Sequence, residues 1–195
     1  MMKFKESELA HKYCKGKGIE LGPSSHNSFG LEDCLMISPE EKLEFWNQSQ
    51  RLMGEEPTVI DLFGNAENIP IEDSSIDYVL SSHVIEHVPN PIKAFIEWDR
   101  SLKKDGVIFM IFPKRDADPK DKDKPVSILE SFIEQYKHPL PLTDDYCHIW
   151  IFTLQLMIDI IEWCNIQKLI DWEIIEKHET DDKVGNGHTI VCMKK

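Results

Sequence analysis

The chain has 195 residues, enough for one domain that buries a full core without help from metals or disulfides. Thirty-five acidic residues against 22 Lys and Arg leave a formal charge of −13, which repels nucleic-acid backbones and anionic lipid. No basic patch offsets it: the densest basic run, Lys114 to Lys124, is interleaved with Asp and reads as a solvated loop. No apolar run approaches the ~20 residues of a bilayer span, and the first residues lack the apolar centre of a signal peptide. The expected partners therefore include no nucleic acid and no membrane insertion, the expected location is cytoplasmic, and the oligomeric state is open. Five cysteines, Cys14, Cys34, Cys147, Cys164 and Cys192, are an odd number without a CxxC pair, and read as reduced packing thiols.

In chain order, an amphipathic helix around Glu6 to Lys15 precedes a first strand, Gly18 to Leu21, that breaks at Gly22-Pro23. Cys34 to Ile37 is a second strand, Pro39 opens a helix through Leu52, and Thr58 to Leu62 is a third strand. Ile76 to Leu80 is the fourth. A helix over Pro91 to Leu102 turns Ile92, Phe95, Ile96 and Trp98 inward and stops at Lys103-Lys104-Asp105-Gly106. Val107 to Phe112 is a fifth strand. Residues 113 to 150 then form an excursion rich in charge and proline, with a helical stretch at Ile128 to Tyr136, of the kind that covers a substrate. Phe152 to Cys164 is a helix, and Leu169 to Lys177 and His188 to Met193 are the last strands. One α/β domain over 1–195 follows, with a mostly parallel sheet and a ligand crevice beyond the carboxyl ends of its strands.

That crevice directs attention to the turns Gly22-Pro23-Ser24-Ser25-His26, Asn65-Ala66 and Ser81-Ser82-His83. A Gly turn lets backbone N–H groups approach an anionic group, Glu20 adds a carboxylate beside it, and Asn65 carries a donor and an acceptor suited to an adenine edge. S-adenosylmethionine has both a carboxylate and cationic centres.

Three segments then carry a resemblance. Gly18-Ile19-Glu20-Leu21-Gly22 resembles the first motif of class I methyltransferases. Ala66 to Val79 resembles the approach to their fourth strand. Ser81-Ser82-His83-Val84-Ile85-Glu86-His87-Val88-Pro89-Asn90-Pro91, continued by Glu97 to Gly106, is similar to the bacterial group called type 11. The resemblance implies a Rossmann-like fold of seven strands with the last antiparallel, helices on both faces, S-adenosylmethionine as cofactor, and methyl transfer. Carried over by position, it implies that Glu20 and Gly22 hold the methionine part and Asn65 and Ala66 the adenine. Ser82 and His83 would border the methyl group, and Pro23, Ser24 and Ser81 complete the expected cofactor-binding set. Ser38 stands where an acidic residue usually grips the ribose, with Glu40 or Glu41 as substitutes. These departures leave a second reading, a non-catalytic regulatory or assembly subunit.

His83-Val84-Ile85-Glu86-His87 also matches the H-x-x-E-H pattern of zinc peptidases, but Pro89 and Pro91 interrupt the helix that pattern needs, and no metal site is expected. Gly16, Gly18 and Gly22 mimic a dinucleotide fingerprint, yet two of them precede the strand instead of following it. Where a base is needed, His83 is the first candidate and His148 the second, with Glu86 and His87 assigned to capping and the cofactor shell. The excursion, with Tyr136, His138 and Tyr146, suggests a small polar acceptor such as a sugar or nucleotide sugar.

Overall fold

The computed structural model describes residues 4–141 and 148–195. Its seven strands are β1 (Gly18–Leu21), β2 (Cys34–Ser38), β3 (Leu62–Phe63), β4 (Ile76–Ser82), β5 (Leu102–Pro113), β6 (Trp172–His178) and β7 (Gly187–Lys194). They lie in the order β3-β2-β1-β4-β5-β7-β6, and only β7 runs against its neighbours. The five helices are α1 (Glu8–Tyr13), α2 (Leu43–Leu52), α3 (Pro91–Ser101), α4 (Leu129–Lys137) and α5 (Leu154–Ile166). The seven-stranded, mostly parallel α/β sheet is the one expected. Winding runs outward from β1 to β3 and then returns to β4 on the other side of β1, so the β1/β4 boundary is the switch point where such sheets bind ligands.

Alternation of side chains along the central strands builds two cores. Val79, Ile108, Met110, Phe112, Ile190 and Cys192 face the layer that holds α3 and α5, whereas Tyr78, Leu80, Phe109, Ile111 and Val191 face α1 and Phe29. Asn90 caps α3 by accepting the Lys93 N–H at 3.1 Å, ahead of Pro91 at the first helical position. Capping thus falls to Asn90, not to Glu86 and His87, which lie in a separate 3-10 turn, Ile85–His87.

Two elements differ from the sequence expectation. The third strand shortens to Leu62–Phe63 because Asp61 replaces ladder partners with its own groups: its carboxylate accepts the Met36 N–H at 2.8 Å and its N–H donates to the Met36 carbonyl at 2.9 Å. Val59, 79 % exposed at this edge, has nothing to pack against. The charged run after α3, expected to close the helix, lies inside β5, because Leu102 already pairs with Ile76 and the register shifts before Tyr78 meets Val107. Asp77 anchors that entry by accepting from the Lys17 N–H and the Lys103 ammonium.

The excursion is fastened to the main core. Phe132 of α4 is buried and stacks on Phe152 with ring centroids 5.4 Å apart, and Trp150 packs on Phe132 with centroids 4.4 Å apart. Tyr136 packs on Trp163 and His138 is exposed, so neither reaches the crevice; Tyr146 and Cys147 lie outside the described residues. Among the described residues, no helix is long and apolar enough to cross a membrane. Cys14, Cys34, Cys164 and Cys192 are free thiols, the first, third and fourth of them buried.

Candidate active site

A cleft of about 920 Å³ opens over the carboxyl ends of β1, β2 and β4. It gathers Glu20, Gly22, Pro23, Ser24, Ser38, Asn65, Ala66, Ser82, His83 and His148 from distant parts of the chain. Ser81 is not among its walls; it is fully buried inside the sheet between Leu21 and Met110. Glu41 reaches the cleft from the start of the segment after β2.

Gly22 has φ +61°, and a Cβ there would stand 2.7 Å from Val84 Cγ2, so the turn needs glycine both for its backbone and for the close approach of the β4 loop. Its N–H is bonded to the Ile37 carbonyl at 2.9 Å, the Ser25 N–H to Gln50 Oε1 at 2.7 Å, and the Asn27 N–H to the Ser24 carbonyl at 3.0 Å. These three donors are engaged within the protein. Buried Gln50 of α2 also accepts from the Thr58 N–H and hydroxyl, tying the turn to the edge of the sheet. Trp46 of the same helix and Met53 just past its end lie along the cleft, an apolar wall that sequence reasoning missed because their neighbours in sequence are largely polar.

Asn65 Oδ1 accepts the Glu67 N–H at 2.9 Å, a local turn that takes up part of its side-chain capacity. Helix α3 holds this loop in place. Trp98 Nε1 donates to the Ala66 carbonyl at 3.0 Å, Glu97 accepts the Ile69 N–H at 2.8 Å, and Arg100 donates to the carbonyls of Ile69 and Ile71.

Burial pushes the Glu20 carboxyl up to about 8, against the pull of Lys183. Lys183 is itself buried, with its ammonium donating to the Ser28 carbonyl at 2.6 Å and 4.4 Å from the centre of the Phe29 ring. Its loop is organised by Asp181, whose carboxylate accepts four backbone N–H groups, from Lys183, Val184, Gly185 and Gly187.

At the mouth, His83 adopts φ +54°, a left-handed conformation that costs a non-glycine residue about 1–3 kcal/mol and recurs at functional sites. Burial lowers the His83 pKa, but Glu86, Asp181 and Asn186 outweigh it and the net shift is upward. Fully buried Glu86 lies at the centre of three imidazoles: its Oε1 is 3.6 Å from His83 Nδ1, 4.0 Å from His87 Nε2 and 3.9 Å from His148 Nε2. Its backbone carbonyl accepts the N–H groups of Ile149 and Trp150, and Trp150 Nε1 donates to the Val88 carbonyl at 2.8 Å, which fastens His148 over the turn. The other ring nitrogen of His148, Nδ1, is paired with the Asp121 carboxylate, and Lys124 holds Asp121 at 3.0 Å.

The comparisons with known proteins agree with this architecture. Residues 33–110 match a family described as a methyltransferase domain. Over those residues the chain resembles a methyltransferase domain. S-adenosylmethionine is the cofactor of that family. Among solved structures, an S-adenosylmethionine-dependent methyltransferase from Thermotoga maritima is similar with a TM-score of 0.59 and 20% identity, over 96% of this chain and 86% of the other. One from Aquifex aeolicus gives 0.56 and 12% over 96% and 87%, and one from Methanosarcina mazei 0.52 and 16% over 96% and 97%. At these identities the likeness is one of fold. No curated protein matches the sequence. Glu20, Ser38, Asn65 and Ala66 line the same cleft as the His–Glu cluster.

Proposed function

We propose that this domain transfers the methyl group of S-adenosylmethionine to a small polar acceptor bound at the His83–His148 end of the cleft. The observation that carries this reading is the cleft at the β1/β4 switch point, which joins a buried carboxylate and an apolar wall to a cluster of imidazoles. The adenine would lie against Trp46 and above Ala66, with Ser38 and Glu41 toward the ribose and Glu20 toward the cationic centres. Displacement at a sulfonium needs an activated donor, which the cofactor supplies, and an acceptor atom held about 3 Å from the methyl group in a site without water. For a hydroxyl acceptor, His83 would take the proton, with His148 as the second candidate.

The acceptor class we favour is a sugar or nucleotide sugar, because imidazoles and a carboxylate suit hydroxyl groups and because the excursion brings His148, held by Asp121, into the wall of the cleft. Release of S-adenosylhomocysteine from S-adenosylmethionine, followed across a panel of sugars, nucleotide sugars and other polar metabolites, tests the reading. His83→Ala should lower turnover by about 10²- to 10⁴-fold while cofactor affinity stays within a few-fold. An unchanged rate removes His83 from the mechanism, and no binding of S-adenosylhomocysteine by calorimetry would favour a non-catalytic regulatory or assembly role.

A further inference from the structure

Glu86 presents a problem of charge. It is fully buried, and among the described residues neither of its carboxylate oxygens receives a hydrogen bond. A buried carboxylate in that state costs several kcal/mol unless a cation meets it. The imidazole nitrogens around it stand at 3.6, 3.9 and 4.0 Å, longer than a charge-assisted hydrogen bond of about 2.8 Å. Two ligand atoms that share one ion at about 2.1 Å stand at most about 4.2 Å apart. The separations of 3.9 and 4.0 Å from Glu86 to His148 and His87 fall inside that limit, and one donor atom each from Glu86, His87 and His148 lies within 4.8 Å of the others.

A second observation concerns orientation. With Asp121 holding Nδ1 of His148, that nitrogen carries the proton and donates, so Nε2 presents its lone pair toward Glu86 and His87. A carboxylate behind a histidine in this way is the outer support that histidine metal ligands commonly have. Lys124 bonds both the Asp121 carboxylate and the His148 carbonyl, at 3.0 and 2.8 Å, so the support is itself held.

We propose that Glu86, His87 and His148 bind one divalent first-row transition metal ion, positioned by Asp121, with its open coordination positions facing the acceptor end of the cleft. Two imidazoles and a carboxylate suit zinc, iron, cobalt or manganese better than magnesium or calcium, which prefer all-oxygen sets. This revises the sequence expectation of no metal site. The H-x-x-E-H spacing was set aside for want of a zinc helix, and residues 85–87 are indeed a 3-10 turn; the partner that completes the set, His148, comes from the far end of the excursion. The consequence for catalysis rests on the methyl-transfer reading. An acceptor hydroxyl on the ion would be more acidic, its proton would pass to His83 or water, and its oxygen would form the new O–CH3 bond as the S–CH3 bond breaks and S-adenosylhomocysteine leaves.

The test separates the two. Protein stripped with a chelator is titrated with Co2+, followed by visible absorption, and with Zn2+, followed by calorimetry and elemental analysis. One equivalent should bind. His87→Ala and His148→Ala should each weaken binding by at least ~100-fold, and Asp121→Asn by about 10- to 100-fold. S-adenosylhomocysteine affinity, measured in chelator on the same variants, reports whether each remains folded and whether the cofactor reading holds, independently of metal. Absence of stoichiometric uptake, or uptake that both histidine substitutions leave unchanged, overturns the metal site.

Discussion

Glu20 is the residue whose chemistry makes the sharpest demand on the cofactor. Burial raises its carboxyl from 4.5 to about 8, so between those values the folded chain keeps a proton that the unfolded chain has released. The fold should therefore lose stability as pH climbs through that window, by at most about 1.4 kcal/mol per unit, and level off above about 8. A bound cation favours the ionised form. Binding of S-adenosylhomocysteine, through its ammonium, should thus release a proton, and affinity should rise up to about tenfold per pH unit from about 6 to 8. Glu20→Gln should weaken binding and flatten that slope. Calorimetry in buffers of different ionisation heat measures both, and a pH-independent wild-type affinity would place the cofactor's cation elsewhere. The position of Glu20 was legible because a strand followed by a Gly-Pro break announces its own carboxyl end. The countercharge was not: Lys183 comes from the loop between the last two strands, and nothing local in the sequence links them.

The loop between β3 and β4 has no regular structure and borrows its shape from α3. Trp98 reads in sequence as core packing, and it is that; its further task, shared with Arg100, of holding the carbonyls of Ala66, Ile69 and Ile71 depends on contacts that periodicity cannot reveal. Trp98→Phe keeps the buried ring but leaves the Ala66 carbonyl without its donor, which should cost about 1–3 kcal/mol. Thermal unfolding reads the stability loss, and a drop in S-adenosylhomocysteine affinity several times larger than that of a surface control on α5, such as Glu162→Ala, would tie the loop to the adenine. Equal affinities would make it a scaffold element alone. The strands in the centre of the sheet were legible for the opposite reason. Runs such as Tyr78-Val79-Leu80 and Ile108 to Phe112 are buried on both faces, so tertiary context reinforces local preference there, whereas at the edge Asp61 substitutes for the ladder and the expected strand shrinks.

Over the whole molecule, the winding of the sheet followed from the alternation of strand and helix patterns, and with it the location of the cleft. What that alternation could not contain was the joining of Glu86 and His87 to His148, because the excursion folds back through aromatic packing of Phe132 on Trp150 and Phe152. The net charge of −13 belongs to this scale as well. Its self-repulsion opposes compaction and is screened by salt, while exposed pairs such as Lys12–Glu176 and Lys195–Glu173 add little and lose that little in salt. The two effects have opposite signs, and the excess of 13 acidic residues over basic ones makes repulsion the larger. The melting temperature of the metal-free protein should therefore rise as NaCl goes from about 10 mM to 150 mM, where the screening length falls from about 30 Å to 8 Å. A melting temperature that falls over this range would mean that ion pairs, and not net charge, dominate the electrostatics of the fold. Replacing chloride with sulfate at equal ionic strength separates screening from general salting effects, since screening alone predicts the same curve.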